Sequence, residues 1–344
     1  MLHAAGLDDR EAGRAMDRHA VFRLASLSKA VVCVAALALA ERGTIELNAP
    51  VTDWLPWFTP RLRSGETPAI TLRHLITHQA GLGYGFSQAG GGDYPAAGIS
   101  DGLDDSGLTL EENLRRLASV PLLYPPGASW SYSLAIDVLG AVLEVACGQS
   151  LTAIVRTLVT GPLGLDSIAF IARSQTALVT PYASTAKLPE RMGDRFTLTM
   201  GQSAIHYAPG RAWRADAFPS GGTGLIGSAG DYVRFLEALR TGGAPILSSA
   251  MVEALVTHAV DDVTVGMPGS GLGWGLGVSI VRDPAASGSP LSAGSWQWGG
   301  VYGHSYWVDP AAELSAVLLT NTAGAGMAGA FPEAVKRAVH AGIV

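Results

Sequence analysis

Apolar residues along this chain come first as an unbroken block. Residues 30–41 (AVVCVAALALAE) hold a single charge, at the end, and no helix breaker, with Gly43 just beyond as a C-cap. The pattern predicts a helix over 28–42 that is apolar on every side, and such a helix belongs in a core. Helical periodicity with start signals recurs at 71–78 (after Thr71), 109–118, 133–147 (with Ser133 as cap), 151–159, 228–241 and 331–341. Strand patterns gather late, at 274–282, 303–309 and 313–321, with Asp309-Pro310 punctuating the last two. Late adjacent strands closed by a helix predict an α/β (α+β) fold, an antiparallel sheet flanked by helices with an inserted helical domain. The α/β part covers about 1–50 and 225–344, and the mainly helical part about 51–224. Segments 84–108 and 182–224 are rich in Gly, Pro, Asp and Ser and read as long loops, of the kind that wall a site.

Composition narrows the class. The 344 residues are 48% hydrophobic and only 15% charged, with 43 glycines, which suits a large core and many tight loops. A net charge of −6 without a Lys/Arg block argues against nucleic acid as a partner. Cys33 and Cys147 fall inside apolar helical patterns and read as buried thiols. The first residues lack the basic-then-apolar order of a secretory signal, and the longest apolar stretch is too short to span a bilayer. A cytoplasmic chain with no membrane partner is the resulting expectation, and no cofactor or metal is called for.

Chemistry enters at Ser26-Leu27-Ser28-Lys29, at the mouth of the first helix. Ser26 and Lys29 are one turn apart, so they share a face. The free N–H groups and positive dipole end of a helix start favour developing negative charge. A desolvated amine beside a serine can take its proton and make it a nucleophile. Taken alone, an N-cap serine and a solvated lysine are the simpler reading. Two further segments change the balance. Trp130-Ser131-Tyr132-Ser133-Leu134 puts a phenol at a loop-to-helix junction, where it can shuttle protons. Gln297-Trp298-Gly299-Gly300-Val301-Tyr302-Gly303-His304 has small residues that let backbone approach a ligand closely.

In this order and spacing the three segments resemble the serine β-lactamase and penicillin-binding-protein superfamily, and most closely its family VIII carboxylesterases. The phrases FRLASLSK, ITLRHLITHQAGLGY, YSLAIDVLGAVLE, FPSGGTGLIGSAGDYVRFLEALR and QWGGVYGHSYWVDP extend the likeness through nearly the whole chain. The resemblance implies Ser26 as nucleophile of an acyl-enzyme, with Lys29 and Tyr132 handling its proton; which of the two is the base stays open. It implies an oxyanion hole from the Ser26 and Val301 N–H groups, and substrate contacts at Trp298, Gly299, Gly300, Leu134, Tyr84 and His304. Trp298 stands where lactamases carry the lysine of K-T-G, and Leu134 where many carry the asparagine of Y-x-N. Those changes remove a carboxylate contact and an amide contact, each worth roughly 1–3 kcal/mol. Esters of short-chain acids are therefore expected ahead of β-lactams. A β-lactamase or D-alanyl-D-alanine carboxypeptidase, an acyltransferase, and a non-catalytic ligand sensor are the alternatives.

Several features are expected to carry no chemistry. Gly98-Ile99-Ser100-Asp101-Gly102 spells G-x-S-x-G, but loop composition surrounds it where a nucleophile elbow needs a strand and a helix. His74 and His78 have metal-compatible spacing without a third ligand. Asp137 and Asp231 sit in first turns of helices and suit the dipole. The segment LHAAGLDDREAG reads as the second half of a hairpin whose first half is absent: either the true start lies upstream, or the sheet is short of an edge and the 331–341 helix of a neighbour.

Overall fold

The helix Ser28–Glu41 runs through the centre of the protein, with every residue from Ser28 to Leu39 buried. The computed structural model describes residues 1–88, 91–173, 178–185, 188–201, 203–260 and 270–342. Each fully buried Val or Leu on this helix stabilises the fold by roughly 1.5–3 kcal/mol. Gly43 (φ +70°) ends it, its N–H donating to the Ala40 carbonyl while Thr44 N–H reaches Leu39. Helices Ala135–Cys147 and Leu151–Val155 pack against it.

The main sheet has five antiparallel strands in the order Leu314–Leu319, His304–Asp309, Trp296–Gly300, Ser279–Val281, Leu272–Trp274. Its faces follow the two-residue period. Tyr306 and Val308 join Trp296, Tyr232 and Phe235 in the main core, while Trp307 turns outward to Val335 and Val339 of the helix Ala330–Ala341. The expected single strand 274–282 is instead a hairpin, with Trp274 opposite Ser279 and Leu272 opposite Val281. Gly277 turns the chain at φ +102°, and a Cβ there would lie 2.5 Å from Cys33 Sγ, so the turn sits directly on the central helix. The central strand Trp296–Gly300 takes in the glycine-rich segment that the sequence places at the edge of a strand.

Other local expectations also need correction. The helix predicted over 71–78 covers only Leu72–Ile76, opened by a Thr71–His74 capping box, and His78 adopts φ +57° beyond its end. Ser133 does not cap the helix Ala135–Cys147; Leu134 is its N-cap, and the Ser133 hydroxyl pairs with His78 Nδ1 at 3.0 Å. Leu151–Val155 passes into a wider turn at Arg156–Thr160. Cys147 is partly exposed at its helix end, whereas Cys33 is buried. Leu7–Asp9 pairs with Arg14–Ala15, so the N-terminal segment forms both arms of its own small hairpin. The expected loop 182–224 contains a second hairpin, Phe196–Met200 with Ser203–Tyr207; its residues 186–187 and 202, like 89–90 of the loop 84–108, lie outside the described residues. No single helix is long and apolar enough to cross a membrane among the described residues.

Candidate active site

The nucleophile turn is held from several directions. The strand Val21–Arg23 pairs with Ile226–Ser228, and Leu24 N–H continues that pairing to the Leu225 carbonyl at 2.8 Å. Leu225 N–H in turn donates to Ser28 Oγ (3.0 Å), and the Tyr232 hydroxyl to the Leu27 carbonyl (2.9 Å). Between these anchors Ala25 adopts φ +47°, a left-handed backbone that costs an alanine on the order of 1 kcal/mol. The strained residue presents Ser26, which lies on a tight 3₁₀ turn (Ala25–Leu27) just ahead of the helix.

Lys29 is 1% exposed, with Nζ 3.3 Å from Ser26 Oγ and donating to the Gly222 carbonyl at 2.8 Å. Burial pulls its ammonium from 10.5 down to about 7, a fall limited chiefly by the nearby Asp137 carboxyl. The amine also lies 4.5 Å from the centre of the Tyr132 ring and 5.2 Å from that of Tyr84.

Tyr132 reaches this point because its loop is stitched at both ends: Ser131 N–H donates to the His78 carbonyl, and Leu134 N–H to that of Gly83. Its phenol faces Ser26 and accepts a 3.0 Å hydrogen bond from Trp298 Nε1. Burial raises the phenol far above its usual range, an effect the Ser26 and Trp298 contacts only partly offset. The ring is boxed by His78, Trp298 and Tyr84, with centroids 4.9, 5.0 and 5.2 Å away.

The strand Trp296–Gly300 closes the site. A Cβ on Gly300 would lie 2.7 Å from the Leu24 carbonyl, so only glycine lets this strand abut the nucleophile turn. Gly299 is similarly crowded by Met327, and Val301 follows at the strand end, its carbonyl accepting from the Tyr207 hydroxyl. Ser26, Lys29, Tyr132, Trp298 and the Gly299–Val301 backbone therefore surround one place.

Three expected substrate contacts lie elsewhere. Leu134 is wholly buried in the main core, where its branched side chain fills space beneath the site. Tyr84 is also buried, and its ring backs Lys29 and Tyr132 from inside the protein. His304 has both ring nitrogens engaged, Nε2 with the Arg23 carbonyl (2.8 Å) and Nδ1 with Thr320 N–H (3.3 Å), and burial lowers its pKa to about 4. It is a neutral brace behind the nucleophile turn.

The G-x-S-x-G string is structural. Ser100 is buried, its backbone exchanges hydrogen bonds with the Asn113 amide (2.8 and 2.9 Å), and its hydroxyl donates to the Asp104 carboxylate. Its neighbour Asp101 accepts from the N–H groups of Gly85 and Phe86. His74 closes the capping box, its ring accepting the Thr71 N–H, and among the described residues no cluster of three metal-binding side chains occurs. Asp231 takes Ser167 and Arg234. Asp137, expected only to suit a helix dipole, is fully buried near Lys29. One signal was available for it, an acid inside the otherwise apolar run AIDVLGAV.

Comparison with known proteins identifies the family and the fold. The chain is 47% identical to esterase EstB of Burkholderia gladioli over 98% of its length and 86% of that protein's. It superposes with a TM-score of 0.94 on EstCE1, a hydrolase with promiscuous acyltransferase activity, at 42% identity, covering 98% of this chain and 89% of that one. A penicillin-binding protein from Bacillus halodurans shares the fold at a TM-score of 0.70 and 19% identity, over 98% of this chain and 90% of that one. A β-lactamase family model matches residues 1–340, and the chain is a member of the β-lactamase family.

Proposed function

We propose that this protein hydrolyses carboxylic esters of short-chain acids through an acyl-enzyme on Ser26. The observation that carries the reading is the buried Lys29 amine, 3.3 Å from the Ser26 hydroxyl and titrating at about 7. At pH 8 most of this amine is neutral, so it accepts the Ser26 proton as Oγ attacks the ester carbonyl. The carbonyl oxygen becomes an oxyanion directed at the Ser26 and Val301 N–H groups, each such donor worth roughly 3–4 kcal/mol in comparable sites. Tyr132 stays a phenol and passes a proton to the departing alcohol, regaining it from Lys29. Water then attacks the acyl carbonyl by the same route reversed, releasing the acid and restoring Ser26.

Trp298 supports esters over β-lactams. An indole replaces a cation that would hold a substrate carboxylate, and its N–H is committed to Tyr132. Acyl transfer to an alcohol is a second reading, favoured by the scarce solvent access of Ser26, 5% exposed, and by the activity named for EstCE1. The relatedness to EstB, together with the S-x-x-K, Y-S-L and W-G-G segments, supports membership of family VIII. Unpaired Cys33 and Cys147 suit a cytoplasmic location. We read the chain as one hydrolase unit whose α/β part (about 1–50 and 225–344) and mainly helical part (about 51–224) meet at the site.

The test is hydrolysis of p-nitrophenyl butyrate alongside nitrocefin, with fluorophosphonate labelling mapped by mass spectrometry. Ester turnover that exceeds nitrocefin turnover and vanishes in Ser26→Ala, with the label on Ser26, is expected. Faster nitrocefin turnover, or a label elsewhere, would overturn the proposal.

A further inference from the structure

Beside Lys29, two further polar atoms from separate parts of the chain converge with its amine on Gly222. A Cβ at that residue would lie 2.7 Å from Asp137 Oδ2, 3.0 Å from the Tyr84 hydroxyl and 3.3 Å from Lys29 Nζ. Asp137 is fixed through its other oxygen, which accepts from Ser220 Oγ at 2.6 Å. Its Oδ2 and the Tyr84 hydroxyl are both fully buried without a well-formed hydrogen bond among the described residues; burial raises the Asp137 carboxyl above its usual range, against which Ser220, the Lys29 ammonium and the Gly222 N–H favour the charged form. A buried polar atom left in that state costs roughly 1–3 kcal/mol, which a helix-dipole role alone does not justify.

We propose that Asp137 is a positioning residue for ester hydrolysis, its carboxyl group fixing the orientation and charge of the Lys29 amine that serves Ser26. The proposal rests on Lys29 and Ser26 acting as described above. The amine is gripped between the Gly222 carbonyl and Ser26 Oγ, with the Tyr84 and Tyr132 rings beside it and the Asp137 carboxyl meeting it at Gly222. The titratable groups that face it are Asp137 and Asp101, whose carboxylates favour the ammonium although burial lifts Asp101 to about 7, with the Cys33 thiol of its own helix and the His78 ring, both of which burial keeps neutral. Arg211 acts on Asp137 in turn, with Ser220. Burial alone would drive Lys29 to a weakly basic amine, poorly suited to take a serine proton; a carboxylate beside it restores basicity.

The sign follows. Removing the negative charge at 137 makes Lys29 release its proton at lower pH, so the acid limb of kcat/KM moves down. Asp137→Asn keeps the shape and the Ser220 contact, and is expected to lower that limb by about one pH unit, the size of effect a single neighbouring charge produces. Ser220→Ala, which withdraws the hydrogen bond favouring the carboxylate, is expected to move it the same way by a smaller amount. A loss of packing would lower the melting temperature without displacing a titration, so the limb separates the two roles. The profiles are measured with p-nitrophenyl butyrate on variants whose Ser26 still takes the fluorophosphonate label. If the wild type is labelled and active but neither variant moves the limb, Asp137 has no such role and the hydrolase reading stands. If Asp137→Asn does not fold, Ser220→Ala alone decides. If the wild type does not label at Ser26, both readings fall together.

Discussion

Replacing Trp298 by phenylalanine isolates one hydrogen bond at the reacting end of the site. The indole N–H donates to the Tyr132 hydroxyl at 3.0 Å, and phenylalanine keeps an aromatic ring there without the donor. A phenol this deeply buried has few alternative partners, so losing the donor costs roughly 1–1.5 kcal/mol of support for its orientation and proton transfer. At 1.36 kcal/mol per decade this is about a tenfold fall in kcat/KM. The smaller ring also weakens contacts with Trp274 and Tyr132, whose centroids lie 4.7 and 5.0 Å away. That loss, roughly 0.5–1.5 kcal/mol, is shared by ground and transition states and belongs in the melting temperature. Steady-state hydrolysis of p-nitrophenyl butyrate at pH 8, with thermal unfolding of the same preparation, reads the two effects separately. A variant with kcat/KM within twofold of the parent and a lowered melting temperature would show that the indole only packs, and the reasoning about Tyr132 would be refuted.

Three other outcomes follow from the same geometry. Ser100→Ala should leave kcat/KM within about twofold while lowering stability by roughly 1–2 kcal/mol, because it strips a buried hydroxyl from Asp104 without touching the site; comparable loss of activity would revive the G-x-S-x-G reading. Lys29→Met should be inactive and melt lower, since it leaves the buried Asp137 carboxyl and the Gly222 carbonyl without the amine that faces them. The accompanying pH dependence has a definite sign: the unfolded chain holds the Lys29 proton up to 10.5 and the folded one only to about 7. Wild-type stability should therefore gain up to about 1.4 kcal/mol per pH unit between 7 and 10 from this group, a slope absent from Lys29→Met in denaturant titrations. Gly300→Ala should cut activity at least tenfold, as its methyl meets the Leu24 carbonyl and pries the strand from the nucleophile turn, and unchanged kinetics would disprove that contact.

Features governed by short-range rules were legible in the sequence. Ser26 and Lys29 share a face because they stand three positions apart at a helix start, and Thr71 opens its helix as its position suggests. What stayed hidden depends on contacts across long stretches of chain. The strand Trp296–Gly300 offers only Trp-Gln-Trp before two glycines, too short an alternation to fix where the strand runs. Tyr84 and Leu134 stood beside motif residues and looked equally able to meet substrate; only the folded loops decide that both turn inward. Asp137 resembled any acid at a helix start until Ser220, 83 residues away, and Gly222 arrived beside it.

The anchors of the nucleophile turn carry a lesson about the order in which this molecule becomes an enzyme. Leu27 leans on Tyr232, Ser28 on Leu225, Lys29 on Gly222, and the carbonyl of Arg23 on His304, across 193 to 281 residues of chain. Loops so long close late during folding, after local helices have formed. Ester turnover thus becomes a reporter of complete assembly: in a refolding experiment it should return behind the circular-dichroism signal, with no half-made species competent to react.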